Sequence, residues 1–174
     1  MSAKSSIEDR LLAVEDKLEI LNLIASHPPA ADTGADYYTK WSFVEDGVID
    51  LGGGKGASGN EKIAAGQQSP GHLAAIAGGL AHFAGLPRIE LNGDEAVATS
   101  YLQILTPHPT AEPHEVPNHG VSKGYRIHRV GANRWELVRT DDGWKIKKRT
   151  LRSLDGTEPA RDILRSALKT FAPR

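Results

Sequence analysis

Leu80-Ala-His82-Phe-Ala-Gly-Leu-Pro-Arg-Ile-Glu-Leu91 sets a single histidine among apolar and small residues and runs into Asn92-Gly93-Asp94 and then Glu95-Ala-Val-Ala-Thr-Ser-Tyr-Leu-Gln-Ile-Leu105. Asparagine and glycine accept the positive φ of a tight turn, so Pro87–Leu91 and Glu95–Leu105 are predicted to form the two strands of a hairpin. A second strand this long can span a curved sheet with side chains on both faces. Tyr101 and Gln103 then point into a cavity and Leu102 and Ile104 away from it, or the reverse; the sequence leaves this open. His82 is the first candidate for a reactive centre, because an imidazole both takes and returns a proton near neutral pH. A hydrogen-bonded core histidine is the other reading of the same residue.

Downstream, Thr106 to Gly120 reads as a proline-rich loop carrying His108, His114 and His119. Their spacing presets no metal geometry, and the stretch is expected to be a lid or a subunit contact. Gly124–Val130, Arg134–Thr140 and Trp144–Arg152 read as three antiparallel strands, the last two joined by an Asp141-Asp-Gly143 turn. Strict alternation places Trp144, Ile146, Lys148 and Thr150 on one face of the last strand and Lys145, Lys147, Arg149 and Leu151 on the other. Glu158 to Phe171 is predicted to be a C-terminal helix.

Upstream, Asn60–Gly66 and Pro70–Ala77 are two short helical pieces. Gly52-Gly-Gly-Lys-Gly-Ala-Ser-Gly59 lacks the spacing of a phosphate-binding loop and is read as a flexible surface loop after a short strand ending at Leu51. Asp32 or Asp36 could cap a short helix. Ser5-Ser-Ile-Glu8 has the form of a capping box opening a longer one. Ile7, Leu11, Val14, Leu18 and Leu21 recur at steps of four and three and are expected to pack that helix on the core. A short coiled coil would show the same spacing, but the Pro28-Pro29 stop favours a globular helix.

At 174 residues the chain suits one domain, taken as residues 1–174. Twenty-one basic and 22 acidic residues leave a net charge of −1, which gives no footprint for nucleic acid or an anionic membrane. With no cysteine, disulfides, thiolate nucleophiles and cysteine-based metal sites are excluded. No signal-peptide core and no run of about 18 apolar residues is present, so a cytoplasmic protein is expected.

Helices first and a largely antiparallel, strongly curved sheet after them make an α+β layer whose concave face can enclose a pocket. In this layout the opening helix, the Ala30-Ala-Asp32 element, Phe43-Val-Glu-Asp-Gly-Val-Ile-Asp50, Gly79-Leu-Ala-His82, Asn92-Gly-Asp-Glu-Ala-Val-Ala98 and Asp142-Gly-Trp-Lys-Ile-Lys-Lys-Arg149 occur in order. Together they resemble the SnoaL-like branch of the nuclear transport factor 2 (NTF2)-like superfamily over roughly residues 6 to 155. The resemblance implies an NTF2-like cone, with N-terminal helices packed on a curved sheet around a deep pocket. Relatives include polyketide cyclases, scytalone dehydratase, a ketosteroid isomerase and lindane dehydrochlorinase. The catalytic Asp–His pair of the dehydrochlorinase matches Asp32 and His82 here, and its pocket arginine matches Arg149. Its pocket lysine falls on His27, and the tyrosine pair of scytalone dehydratase is not reproduced.

A carboxylate that accepts from one imidazole nitrogen fixes the tautomer and leaves the other free to abstract a proton. Asp32 would orient, His82 would be the base, and Arg149 would donate to a developing oxyanion or leaving group. His27, Tyr37, Trp41, Tyr101 and Gln103 are the candidate substrate contacts. The function expected first is a cofactor-independent lyase or isomerase, a dehydratase above all, acting on a small, largely apolar hydroxylated or carbonyl substrate. No metal or cofactor is called for. A non-catalytic pocket protein and a scaffold subunit like the small subunit of ring-hydroxylating dioxygenases are the alternatives. The family's open outer sheet face implies a homo-oligomer, dimer or trimer.

Overall fold

The computed structural model describes residues 6–169. The first helix, α1 (Ile7–Ala25), opens on a capping box: the Ser6 hydroxyl accepts from the Asp9 N–H at 3.0 Å, and the Asp9 carboxylate accepts from the Ser6 N–H at 2.9 Å. The box expected at Ser5 and Glu8 is thus one residue out, and Ser5 lies outside the described residues. Two short helices follow, α2 (His27–Thr33) and α3 (Asp36–Ser42). Then come β1 (Phe43–Gly52), β2 (Lys55–Ser58), α4 (Asn60–Gln67), α5 (Pro70–Ala77), β3 (Ala81–Ala84), β4 (Arg88–Asn92) and β5 (Glu95–Pro107). The chain continues with β6 (His114–Val116), β7 (Gly120–Ser122), β8 (Tyr125–Thr140), β9 (Gly143–Ser153) and α6 (Glu158–Ser166).

The main sheet runs β2-β1-β9-β8-β5-β3, with β4 also pairing β5. All pairings are antiparallel except β1 with β9. The long strand β5 serves two partners, β4 along Glu95–Thr99 and β3 along Leu102–Leu105. The curved sheet is unclosed, and its concave face takes the N-terminal helices. Ile20, Leu23 and Ile24 of α1 pack there with Phe43, Ala96, Ala98, Trp135, Leu137, Trp144 and Ile146. Among the described residues no helix is long and apolar enough to cross a membrane.

Four expectations change. The glycine run is the tip and return strand of a β1–β2 hairpin, not a loop. The proline-rich stretch contains the β6–β7 hairpin. Gly124–Val130 and Arg134–Thr140 belong to one continuous strand, because Gly131-Ala-Asn133 stays paired with Ser100–Leu102 instead of turning. Gly131 is needed there: a Cβ would stand 2.8 Å from Leu151 Cδ1. Finally, Ile7, Leu11, Val14 and Leu18 do not face the core but are 53–77% exposed, and α1 buries Asp16, Ile20, Leu23 and Ile24 instead.

Asp16 explains the choice of face. Arg139 donates to both its carboxylate oxygens at 2.7 Å, and Trp144 Nε1 donates to Oδ1 at 3.1 Å. The Arg139 guanidinium lies 4.7 Å over the Trp144 ring, and the Trp144 N–H donates to Glu19 at 2.8 Å. A buried carboxylate is tolerated only with such partners, so this clamp fixes the rotation of α1 on the β8–β9 hairpin. Arg139→Met is expected to cost about 2–4 kcal/mol by urea unfolding, since Asp16 would stay buried with only the indole N–H. Adding Asp16→Leu should recover part of that loss.

Candidate functional site

The last turn of α2 carries Asp32, and Gly34 ends that helix at a φ of +67°, a conformation costly for other residues. Gly79, at φ +85°, brings the chain into β3 so close to Pro107 that a Cβ would stand 2.7 Å from its Cγ. His82 then pairs opposite Ile104, which places its ring on the concave face. The two elements meet through one carboxylate. Asp32 Oδ1 lies 2.6 Å from His82 Nδ1, and Asp32 Oδ2 accepts from the His82 backbone N–H at 2.9 Å. A carboxylate accepts, so Nδ1 carries the proton and Nε2, which has no hydrogen bond among the described residues, presents a lone pair. The His82 side chain is only 10% exposed. Burial pushes its pKa below the usual histidine value, Asp32 pulls it back up, and Arg149 and His72 push it down again.

Arg149 reaches the same face through an irregularity in the sheet. Glu136 pairs with Lys148 but Leu137 pairs with Ile146, so Lys147 is an extra residue that reverses the alternation of β9. Trp144 and Ile146 therefore share a face with Arg149 and Leu151, against the strict alternation expected. Arg149 is 4% exposed; its Nε donates to Asn133 Oδ1 at 3.1 Å and its guanidinium lies 4.7 Å over Trp135. Burial, and after it the charge of Arg129, lowers its pKa to about 9. His27 packs edge-on against the same indole, with ring centres 5.3 Å apart. Burial first, then Arg149, His82 and His72, hold His27 well below the usual histidine pKa, so it is neutral near pH 7. His72 Nε2 lies 2.7 Å from the Ala31 carbonyl and donates to it, tying α5 to α2 beside Asp32.

Asp32, His82, Arg149 and His27 thus lie near one another. The remaining candidates do not. Tyr101 and Gln103 lie on the convex face, because Leu102 shares the inner face with Ser100 and Ile104. Tyr37 and Trp41, 76% and 50% exposed on α3, line a separate open groove with Lys40, Phe43 and Lys145. Lys145 Nζ sits 4.0 Å over the Trp41 ring and donates to its carbonyl, which keeps that indole at the groove. His72, Asn133 and Trp135 were missed. An asparagine inside a strand, where it is disfavoured, is the signal that could have found Asn133; His72 gives no comparable signal.

Because the native pKa of His27 is lowered, the unfolded chain takes up a proton below about pH 6.5 that the native chain does not. Its contribution to stability is therefore present above that pH and is lost as the pH falls. His27→Phe, which keeps a ring against Trp135, is expected to flatten the loss between about pH 7 and pH 5 by roughly 1 kcal/mol or more, read by urea unfolding at each pH.

The sequence matches the SnoaL-like domain family over residues 12–150. No curated protein matches it. Among solved structures, an NTF2-like protein with a cystatin-like fold from Novosphingobium aromaticivorans is 34% identical, with a TM-score of 0.80 over 94% of this chain and 98% of that one. A protein of unknown function from Mycobacterium tuberculosis is 18% identical, with a TM-score of 0.67 over 96% of this chain and 93% of that one. A proposed scytalone dehydratase from N. aromaticivorans is 18% identical, with a TM-score of 0.60 over 85% of this chain and 88% of that one. The last two, at this identity, speak for the fold alone. With helices laid on the concave face of a curved, unclosed sheet, and a match over most of its length, the chain belongs to the SnoaL-like family of NTF2-like proteins.

Proposed function

We propose that Asp32 and His82 form the general-base centre of a cofactor-independent lyase or isomerase, in first place a dehydratase. The observation that carries this reading is the two-point grip of one carboxylate on His82, through Nδ1 and through the backbone N–H, with Nε2 unbonded among the described residues. In a dehydration of a β-hydroxy carbonyl compound, Nε2 takes the α-proton and the C–H electrons pass toward the carbonyl. The electrons then return to form the C=C bond as the C–O bond breaks. The imidazolium gives its proton to the departing hydroxide, which leaves as water. Asp32 holds the imidazole in the productive tautomer and stabilises its charged form, and Arg149, held by its bond to Asn133, donates to the oxygen on which charge develops. Return of the proton to a different carbon would make the same centre an isomerase.

The test uses a panel of β-hydroxy ketones with and without a carboxylate, following enone absorbance and deuterium uptake α to the carbonyl. His82→Gln is expected to lower kcat about 10²–10⁴-fold and Asp32→Asn by a comparable factor. kcat/KM should rise with pH along a limb below the ordinary histidine pKa, and Asp32→Asn should move that limb further down. Exchange and turnover that survive His82→Gln would sink the reading.

A further inference from the structure

Three buried polar atoms on the sheet have no hydrogen-bond partner among the described residues: Thr106 Oγ1, Arg129 Nε and Asn133 Nδ2. All three belong to the face that carries His82. Thr106 follows Ile104 by two residues in β5, Arg129 pairs opposite Ile104, and Asn133 pairs opposite Ser100. Arg149 joins them, bonded only through Nε to Asn133. Neither Arg129 nor Arg149 has a carboxylate within ion-pair distance among the described residues. A guanidinium nine-tenths buried without a counter-ion, beside a second one, is electrostatically unfavourable and calls for an anion. The planar fork of arginine and the in-plane N–H of an asparagine amide suit the two coplanar oxygens of a carboxylate. Trp135 and Leu102 are buried apolar side chains on the same face.

We propose that these groups bind a substrate bearing a carboxylate, gripped by Arg129, Thr106 and the Nδ2 of Asn133 beside Arg149, so that the substrate is a small apolar hydroxy or keto acid. The proposal rests on Asp32–His82 being the reacting end, and it names what the other end holds. Benzoate and benzamide, alike in shape and different in charge, are the probes, read by thermal shift and tryptophan fluorescence. Benzoate is expected to bind at least tenfold more tightly than benzamide. Arg129→Gln should abolish the difference; this residue is only half-buried, so the variant should fold. His82→Gln should retain the difference while losing proton transfer, which separates a failure here from a failure of the general-base reading. Equal binding of the two probes, or a preference that survives both Arg129→Gln and Arg149→Gln, would overturn the proposal. Inorganic phosphate binding as tightly as benzoate would overturn the assignment to carboxylates.

A separate observation concerns α1. Ile7, Leu11, Val14, Leu18 and Leu21 step by four and three along the side of the helix away from its own core, and the first four are exposed. In heptad terms these are alternate d and a positions, with Arg10 and Lys17 along one flank and Glu8 and Glu15 along the other. Parallel helices set Arg10 against Glu15 of the neighbouring copy. Antiparallel helices set like charges against each other on both flanks. The convex sheet face expected to be open is partly covered by α6, whose Ala160 and Ile163 pack with Ala132.

We infer that copies of this chain associate through parallel α1 helices. Leucine at a, with isoleucine and valine at the first two d positions, suits more than two strands. The helix is already ordered on its own domain, so a short seam pays little of the usual ordering cost. By sedimentation the parent chain should be an oligomer. Leu11→Glu with Leu18→Glu should be monomeric with unchanged circular dichroism. Arg10→Glu should weaken the assembly, and Arg10→Glu with Glu15→Arg should restore it. A monomeric parent, an oligomer that survives both leucine substitutions, or one strengthened by Arg10→Glu would overturn the inference.

Discussion

Between Ile146 and Arg149 the strand β9 carries one residue more than β8 beside it, and most of what the concave face can do depends on that residue. In a regular strand the side chains at 146 and 149 point to opposite faces, and burying Ile146 would send Arg149 to solvent. The bulge at Lys147 absorbs the mismatch. It lets the first half of β9 supply apolar weight under α1 and the second half supply a guanidinium to the face that carries His82. Lys147 itself turns outward, where a lysine costs nothing.

The site is built from groups that want different things. Among the described residues Asp32 is the one carboxylate paired with an imidazole, and it is spent on orienting His82 from two sides. Burial, and after it the charge of Arg149, raises the cost of any further positive charge there, which is why His27 is held neutral, while Asp32 alone pulls His82 back up. An imidazole in such surroundings is unprotonated at neutral pH and gains a proton most easily when negative charge arrives with the substrate. Base and anion site therefore reinforce each other.

Periodicity and turn chemistry made the fold legible in outline. The Asn92-Gly93 hairpin, the Asp142-Gly143 turn and the helices at Asn60–Gln67 and Pro70–Ala77 stand where local preferences put them. Pro28 and Pro29, by contrast, open α2 instead of ending a helix, and α6 stops at Ser166, short of the span expected to Phe171, which lies outside the described residues. What the sequence hid are the places where tertiary contacts outweigh a local pattern. The apolar stripe of α1 was the clearest amphipathic signal in the chain, yet a single buried aspartate with an arginine and an indole rotates the helix the other way. Alternation in β9 was broken by a bulge that no residue announces, and the facing of Tyr101 against Leu102 depended on a register that only the neighbouring strands set. In the site, Asp32 and His82 could be paired because they match the pattern of a known family. Asn133 and His72 have no such pattern, and their roles come from what lies across the sheet.

Two arginine–tryptophan pairs on this face make the contrast between structure and function concrete. Arg139 lies 4.7 Å over Trp144 and Arg149 lies 4.7 Å over Trp135. Around the first pair the set is complete: Asp16 accepts from both guanidinium nitrogens and from the indole, and every charge has its counterpart. Around the second no carboxylate stands among the described residues, an amide N–H is left over there, and burial lowers the guanidinium pKa to about 9. The same chemistry serves as a clamp where the chain supplies the acid. Where the chain withholds it, the cost stays uncompensated until something else brings the acid in. A fold that can close such a triad with its own residues at one end of the sheet, and leaves it open beside a poised base at the other, has reserved that place for a ligand.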